Sequence, residues 1–237
     1  RMSCFSLSRW TTLLNRKSGP TRHENKQVRR GCISMSFFNY YRDRLNELLE
    51  GVGVTDKEGN DLGADRGFEL LLNHTRELHQ HDRGLFLAGN GASAAMASHM
   101  ALDFAKNGRI RAMAFNDTAS LTALGNDLGY HHVFDQPVRW YGRSGDTLAV
   151  ISSSGASPNV LNALEVAQDL GLYSITFTGL NPDNPCRSQG DLNFYLDAKS
   201  YGLVECGHQV LLHAWLDQFL GQAEWAMVKP QNMRIVT

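Results

Sequence analysis

The stretch Asp146–Gly171, DTLAVISSSGASPNVLNALEVAQDLG, decides the fold. Its first part is an apolar run closing at Ile151, the kind of segment that a strand buried on both faces requires. Its last part, from Pro158, reads as a helix that stops at Gly171. Between them lie Ser152, Ser153, Ser154, Gly155 and Ser157. Pro158 suits the first turn of a helix, where its missing N–H costs nothing, and Ser157 is then the expected N-cap. The serines and Gly155 therefore occupy a strand-to-helix turn. In an open parallel sheet such turns lie at the carboxyl ends of the strands, where ligands bind. Free backbone N–H groups and the helix dipole favour an anion there. Hydroxyls add neutral donors, and glycine lets the backbone come close. Phosphate suits this set of donors, although an ordinary serine-rich capped turn would look the same.

Working outward, the same alternation repeats. GLFLAG (84–89), RAMAFN (111–116), YSITFTG (173–179) and LNFYL (192–196) read as further strands. SAAMASHMALDFAKNG (93–108) and LVECGHQVLLHAWLDQFLG (203–221) read as helices ending at glycine. The expectation is an α/β fold with a five-stranded parallel sheet covered by helices on both faces. Two helices, FFNYYRDRLNELLEGV (37–52) and FELLLNHTRELHQH (68–81), precede any strand, with a polar turn-rich stretch, TDKEGNDLGADRG, between them. The organisation expected is a basic extension over 1–34, N-terminal helices over 35–83, the α/β domain over 84–225 and a tail over 226–237.

Charge sets the extension apart. Residues 1–34 carry eight Lys or Arg and one acid, Glu24, so the rest holds fifteen bases against twenty-three acids, a net of −8. An acidic body argues against nucleic-acid binding through its surface. The extension is rich in Arg, Ser and Thr, as transit peptides are, and reads equally as a disordered extension or as sequence upstream of a start at Met35. Cys4, Cys32, Cys186 and Cys206 form no CxxC pair and read as reduced thiols in a cytoplasmic protein. No apolar run approaches the ~18 residues of a membrane span.

AGNGAS (88–93) repeats the strand-to-helix transition: Gly89 and Gly91 permit a tight turn, Asn90 offers an amide and Ser93 a hydroxyl. The spacing fits neither GxGxxG nor GxxxxGK[ST]. His99 and Asp103 are four apart and share a helical face, and Glu205, Gln209 and His213 form a second line at the same spacing. Such groups supply general acid–base catalysis or ligands for zinc, or are simply solvated polar positions. The neighbours Met96, Met100 and Phe104 favour partial burial of the first helix. Asn126 and Asp127, in Gly125–Asp127, read as a turn that either stands alone or faces a hydroxylated ligand.

Together GNGAS, GNDLG, GDTLAVISSSGASPNV and YGLVECGHQVLLH resemble the sugar isomerase (SIS) domain family, most closely the phosphoheptose isomerases, over residues 35–220. The resemblance implies a flavodoxin-like three-layer sandwich in a homotetramer, with sites between subunits and N-terminal helices in the helical core of the assembly. It implies conversion of sedoheptulose 7-phosphate to D-glycero-D-manno-heptose 7-phosphate through a cis-enediol. Ser93, Ser152, Ser153, Ser154 and Ser157 would surround the phosphate, and Asn90, Gly91 and Asp127 would meet the sugar. Asp103 and His213 would be the catalytic pair, with Glu205 an alternative base. Zinc, where bound, would take His99, Asp103, Glu205 and His213. Three positions depart from the family pattern: Asp103 stands for Glu, Glu205 for Gln and Ala92 for Gly. A positional error of one methylene can cost ~100-fold in rate. These changes keep open a non-catalytic phosphosugar-binding regulator or assembly partner of the replication-initiator-associating type, or an isomerase of another phosphosugar.

Overall fold

The computed structural model describes residues 36–221, so the basic extension, Cys4, Cys32 and the tail lie outside it. The described residues form seven α-helices and six strands. They are α1 (Phe37–Glu50), β1 (Gly53–Asp56), α2 (Gly63–Gln80), β2 (Gly84–Gly89), α3 (Ala92–Lys106), β3 (Arg111–Ala114), α4 (Thr118–Asp127), α5 (Asp135–Tyr141), β4 (Thr147–Ser152), α6 (Pro158–Leu170), β5 (Tyr173–Gly179), β6 (Leu192–Leu196) and α7 (Tyr201–Leu220).

The sheet order is β1-β6-β5-β4-β2-β3. Every pairing is parallel except that of β1 with β6. The five expected strands are all present. The sixth, β1, corrects the expectation that two helices precede any strand: it lies between them, at the edge of the polar stretch. Its anchor is Val54, fully buried, whose branched side chain occupies the space that a Cβ at Gly67 would need. Gly67 thus lets α2 lie directly on the edge strand.

Side-chain alternation divides the core into two layers. Leu85 and Leu87 of β2, with Ala149 and Ile151 of β4, face a layer containing Leu71, Met100, Phe104 and Trp215, from α2, α3 and α7. Phe86 and Ala88, with Leu148 and Val150, face a layer built on α5 and α6, including Val138, Val160 and Leu164. Continuous apolar strands are what this two-sided burial demands. The Trp215 indole N–H donates to Thr75 Oγ1 at 2.8 Å, so the largest buried ring also has its polar atom partnered. Among the described residues no helix is long and apolar enough to cross a membrane.

Candidate active site

Two strand-to-helix turns lie side by side at the carboxyl edge, because β2 and β4 pair in register. The first runs from Gly89 into α3. A Cβ at Gly89 would come 2.7 Å from both the Ile151 carbonyl oxygen and the Ser93 Cβ, so the close approach of helix and strand requires glycine. Gly91 is the N-cap, at φ 57°. The second turn runs from Ser152 to Ser157. Gly155 sits at φ 59°, and a Cβ there would meet Asn184 Oδ1 at 2.0 Å. Its carbonyl accepts from Cys186 N–H at 3.0 Å, which ties the turn to the loop after β5.

Ser93, Ser152 and Ser153 are buried, while Ser154 and Ser157 are partly exposed. Ser157 is the N-cap residue as expected, but its hydroxyl makes no capping bond and is free for another partner. Ser153 Oγ is buried without a hydrogen-bond partner. A buried hydroxyl left in that state costs about 1–3 kcal/mol, which a ligand oxygen would relieve.

An amide pair joins the two turns. Asn90 Nδ2 donates to Asn159 Oδ1 at 3.0 Å, and Asn159 Nδ2 donates back to Asn90 Oδ1 at 2.9 Å. Tyr130 Oη also donates to Asn90 Oδ1, at 3.1 Å. Asn90 is therefore held rigidly, with its oxygen used twice. Asn159 and Tyr130 went unrecognised in the sequence; an Asn one residue after a helix-starting Pro looks like any first-turn polar residue. Asp127 differs from expectation in its local structure. It closes α4 instead of forming a turn, is exposed, and accepts from Asn126 Nδ2 at 2.8 Å. Helix geometry continues to Leu128, and Gly129, at φ 92°, supplies the reversal.

The chemistry-bearing side chains sit on α3 and α7. His99 Nε2 lies 3.4 Å from Asp103 Oδ2, one helical turn along α3. The His99 and His213 rings meet edge to face with centroids 5.3 Å apart. One donor atom from each of His99, Asp103 and His213 lies within 4.8 Å of the others. Asp103 is the most enclosed of the α3 pair, its side chain 20% exposed against 49% for His99. Glu205 is not in this group. It precedes His213 by eight residues, about 12 Å of helix rise, too far for one ion to bind both within a chain. Gln209, between them, instead donates to Met100 Sδ at 3.7 Å.

His208 belongs to the core. Its Nε2 donates to the Thr178 carbonyl at 3.0 Å, Nδ1 is buried without a partner, and burial pushes its pKa down to about 4. Cys186 is buried and its thiol is pushed up to about 12 by burial, so it is inert. Cys206 is exposed, 3.5 Å from Tyr41 Oη.

Nitrogen, oxygen and nitrogen donors from two helices match the three-ligand pattern of zinc sites that keep an open position. Tetrahedral zinc places ligand atoms roughly 3.4 Å apart, given bonds of about 2.0–2.1 Å, so modest side-chain rotation closes the observed set.

A family model described as the SIS domain matches residues 63–179. A phosphoheptose isomerase of Bradyrhizobium sp. strain BTAi1 is 47% identical over 105 residues, covering 42% of this chain and 53% of that one. The chain thus spans about half the length of the first curated relatives it matches. The phosphoheptose isomerase of Neisseria meningitidis serogroup C is 34% identical over 145 residues, covering 58% of this chain and 74% of that protein. The solved phosphoheptose isomerase of Neisseria gonorrhoeae superposes with a TM-score of 0.66 at 28% identity, covering 77% of this chain and 94% of that one. That of Francisella tularensis, at 22% identity and a TM-score of 0.67, shares the fold. The chain belongs to the phosphoheptose isomerase family of SIS-domain proteins.

Proposed function

We propose that this chain is a ketose–aldose isomerase converting sedoheptulose 7-phosphate to D-glycero-D-manno-heptose 7-phosphate. The observation that carries the reading is the meeting of His99, Asp103 and His213 from two helices, one of which starts at the anion turn. His99 lies seven residues into α3, about 10 Å of helix rise from its start. An open-chain heptose phosphate is of comparable length. With its phosphate on Ser93, Ser152, Ser153, Ser154 and Ser157, its reacting carbons would reach the helix pair. Asn90, Gly91 and Asp127 would hold the intervening hydroxyls.

The Asp103 carboxylate takes the proton from C1 of the ketose and returns it to C2 of the cis-enediol. His213 moves a proton between O1 and O2. Such proton transfers by positioned groups contribute about 10²–10⁴-fold. Holding the distant phosphate fixes the reacting carbons against both groups. Zinc held by His99, Asp103 and His213 would polarise the sugar carbonyl and stabilise the developing enediolate. Glu205 would join such a site only from a second copy.

Self-association fits the surface of α1, where Phe37 and Phe38 are 79% and 72% exposed. A homotetramer in the cytoplasm, with sites completed between subunits, is the assembly this reading carries. The test follows sedoheptulose 7-phosphate by NMR with wild-type protein and His213→Ala, using circular dichroism to show that both fold. Conversion by wild type alone supports the reading; equal conversion by the folded mutant contradicts it.

A further inference from the structure

At the edge of the sheet opposite the serine turns there is a cavity of about 380 Å³. It is formed by the segments entering β2, β4, β5 and β6, together with α2. Lys57, His74, Arg83, Tyr173, Gln189 and Asp191 are among the polar and aromatic groups that line it. None has a part in the chemistry above.

The lining is assembled from distant parts of the chain and held in place. The His74 ring stacks on Tyr173 with centroids 3.8 Å apart, and its Nε2 is 2.7 Å from the Thr147 hydroxyl. Burial is the largest influence on His74 and lowers its pKa, keeping the ring neutral near pH 7. Arg83 is pinned by one bond, Nη1 to the Gly145 carbonyl at 3.1 Å, at a glycine with φ 86°. Asp191 accepts from Ser174 N–H at 2.8 Å and lies 3.7 Å from Lys57 Nζ. Gln189 Oε1 is buried and without a partner.

Each feature specifies part of a ligand. Arg83, whose one hydrogen bond in the lining leaves further guanidinium donors, suits a compact oxyanion, with Lys57 beside it against Asp191. The neutral His74–Tyr173 stack and Leu172 give an apolar wall. The orphaned Gln189 oxygen calls for an O–H or N–H donor. The volume is at the small end of metabolite pockets.

We propose that this cavity is a second binding site, distinct from the serine turns, for a small phosphorylated polyol whose phosphate meets Arg83 and Lys57 and whose hydroxyl donates to Gln189.

Calorimetric titration of the whole chain with glycerol 3-phosphate tests it. Wild type should bind two molecules per chain, one at each edge. Arg83→Ala should lose one of them, with affinity down tenfold or more. Ser157→Asp, which sets a carboxylate in the serine turn, should lose the other. Gln189→Leu should weaken the second site for glycerol 3-phosphate about five- to tenfold while leaving sulfate unchanged, since sulfate carries no O–H donor at neutral pH. One molecule per chain, lost in Ser157→Asp and untouched in Arg83→Ala, overturns the second site and leaves the serine turn standing. The reverse pattern retains the second site and removes the serine turn as an anion receptor. Binding unchanged in Arg83→Ala and in Lys57→Ala, with both variants folded, also overturns it.

Discussion

The serine turn and the helix faces bearing His99, Asp103 and His213 are built by opposite means. The turn is a backbone construction. Gly89 and Gly155 have no room for a Cβ, the Asn90–Asn159 amides lock two loops together, and Ser153 is buried with an unused hydroxyl. The helix faces are a side-chain construction, three groups meeting across α3 and α7 with His99 half exposed. Substitutions at the backbone-limiting positions of the first, Gly89 and Gly155, should therefore disturb folding and binding together. Substitutions in the second should remove chemistry and leave the fold alone.

The largest effect tests that contrast from the chemical side. His213→Ala should lower kcat for sedoheptulose 7-phosphate about 10²–10⁴-fold. Its thermal midpoint should stay within a few degrees of wild type, because the residue is only partly buried. Gly155→Ala should do the opposite. The strained φ and the clash with Asn184 predict a loss of about 1–3 kcal/mol by denaturant unfolding. KM should rise, while kcat of the remaining folded enzyme stays near wild type. If kcat falls and stability holds, the turn is not backbone-limited.

His208 offers a pH-dependent comparison from beneath the same edge. Its folded-state pKa, about 4, lies below the ordinary value of 6.5, so the unfolded chain binds the proton more readily. The contribution is fully present above about pH 6.5 and is lost as pH falls towards 4, at up to about 1.4 kcal/mol per unit. Unfolding free energies measured across that window should fall more steeply for wild type than for His208→Gln.

The smallest effect concerns Ser153→Ala. Removing an unpartnered buried hydroxyl should leave the stability of the free protein unchanged or slightly raised. Phosphate affinity should fall about five- to tenfold, measured by titration.

The two regions also differed in how far the sequence disclosed them. Thr147–Ser152 is apolar enough to declare a doubly buried strand, and Pro158 fixes the start of the helix after it. By contrast β1 is four residues long with Val54 as its apolar anchor, set in a polar stretch, so local pattern carries no strand signal. The four-residue spacing of His99 and Asp103 disclosed their shared face, because that is a property of one helix. Bringing His213 to them depends on how α7 lies across α3, which spacing does not encode, whereas the eight residues between Glu205 and His213 on one helix already separate that pair. The Asn90–Asn159 pair is tertiary in the same sense: each Asn alone is an ordinary loop residue.

Isotope exchange with solvent is the most direct test of the proposed proton transfer. Sedoheptulose 7-phosphate is incubated in D₂O with wild type, Asp103→Asn and His213→Ala, and the C1 and C2 positions are read by NMR. Aldose should form with wild type, carrying deuterium at C2 to the extent that the Asp103 carboxyl exchanges with solvent before it returns the proton, and both conversion and exchange should be abolished in Asp103→Asn. No aldose formed by wild type, or the same conversion and exchange in all three folded proteins, would contradict proton transfer by the α3–α7 cluster.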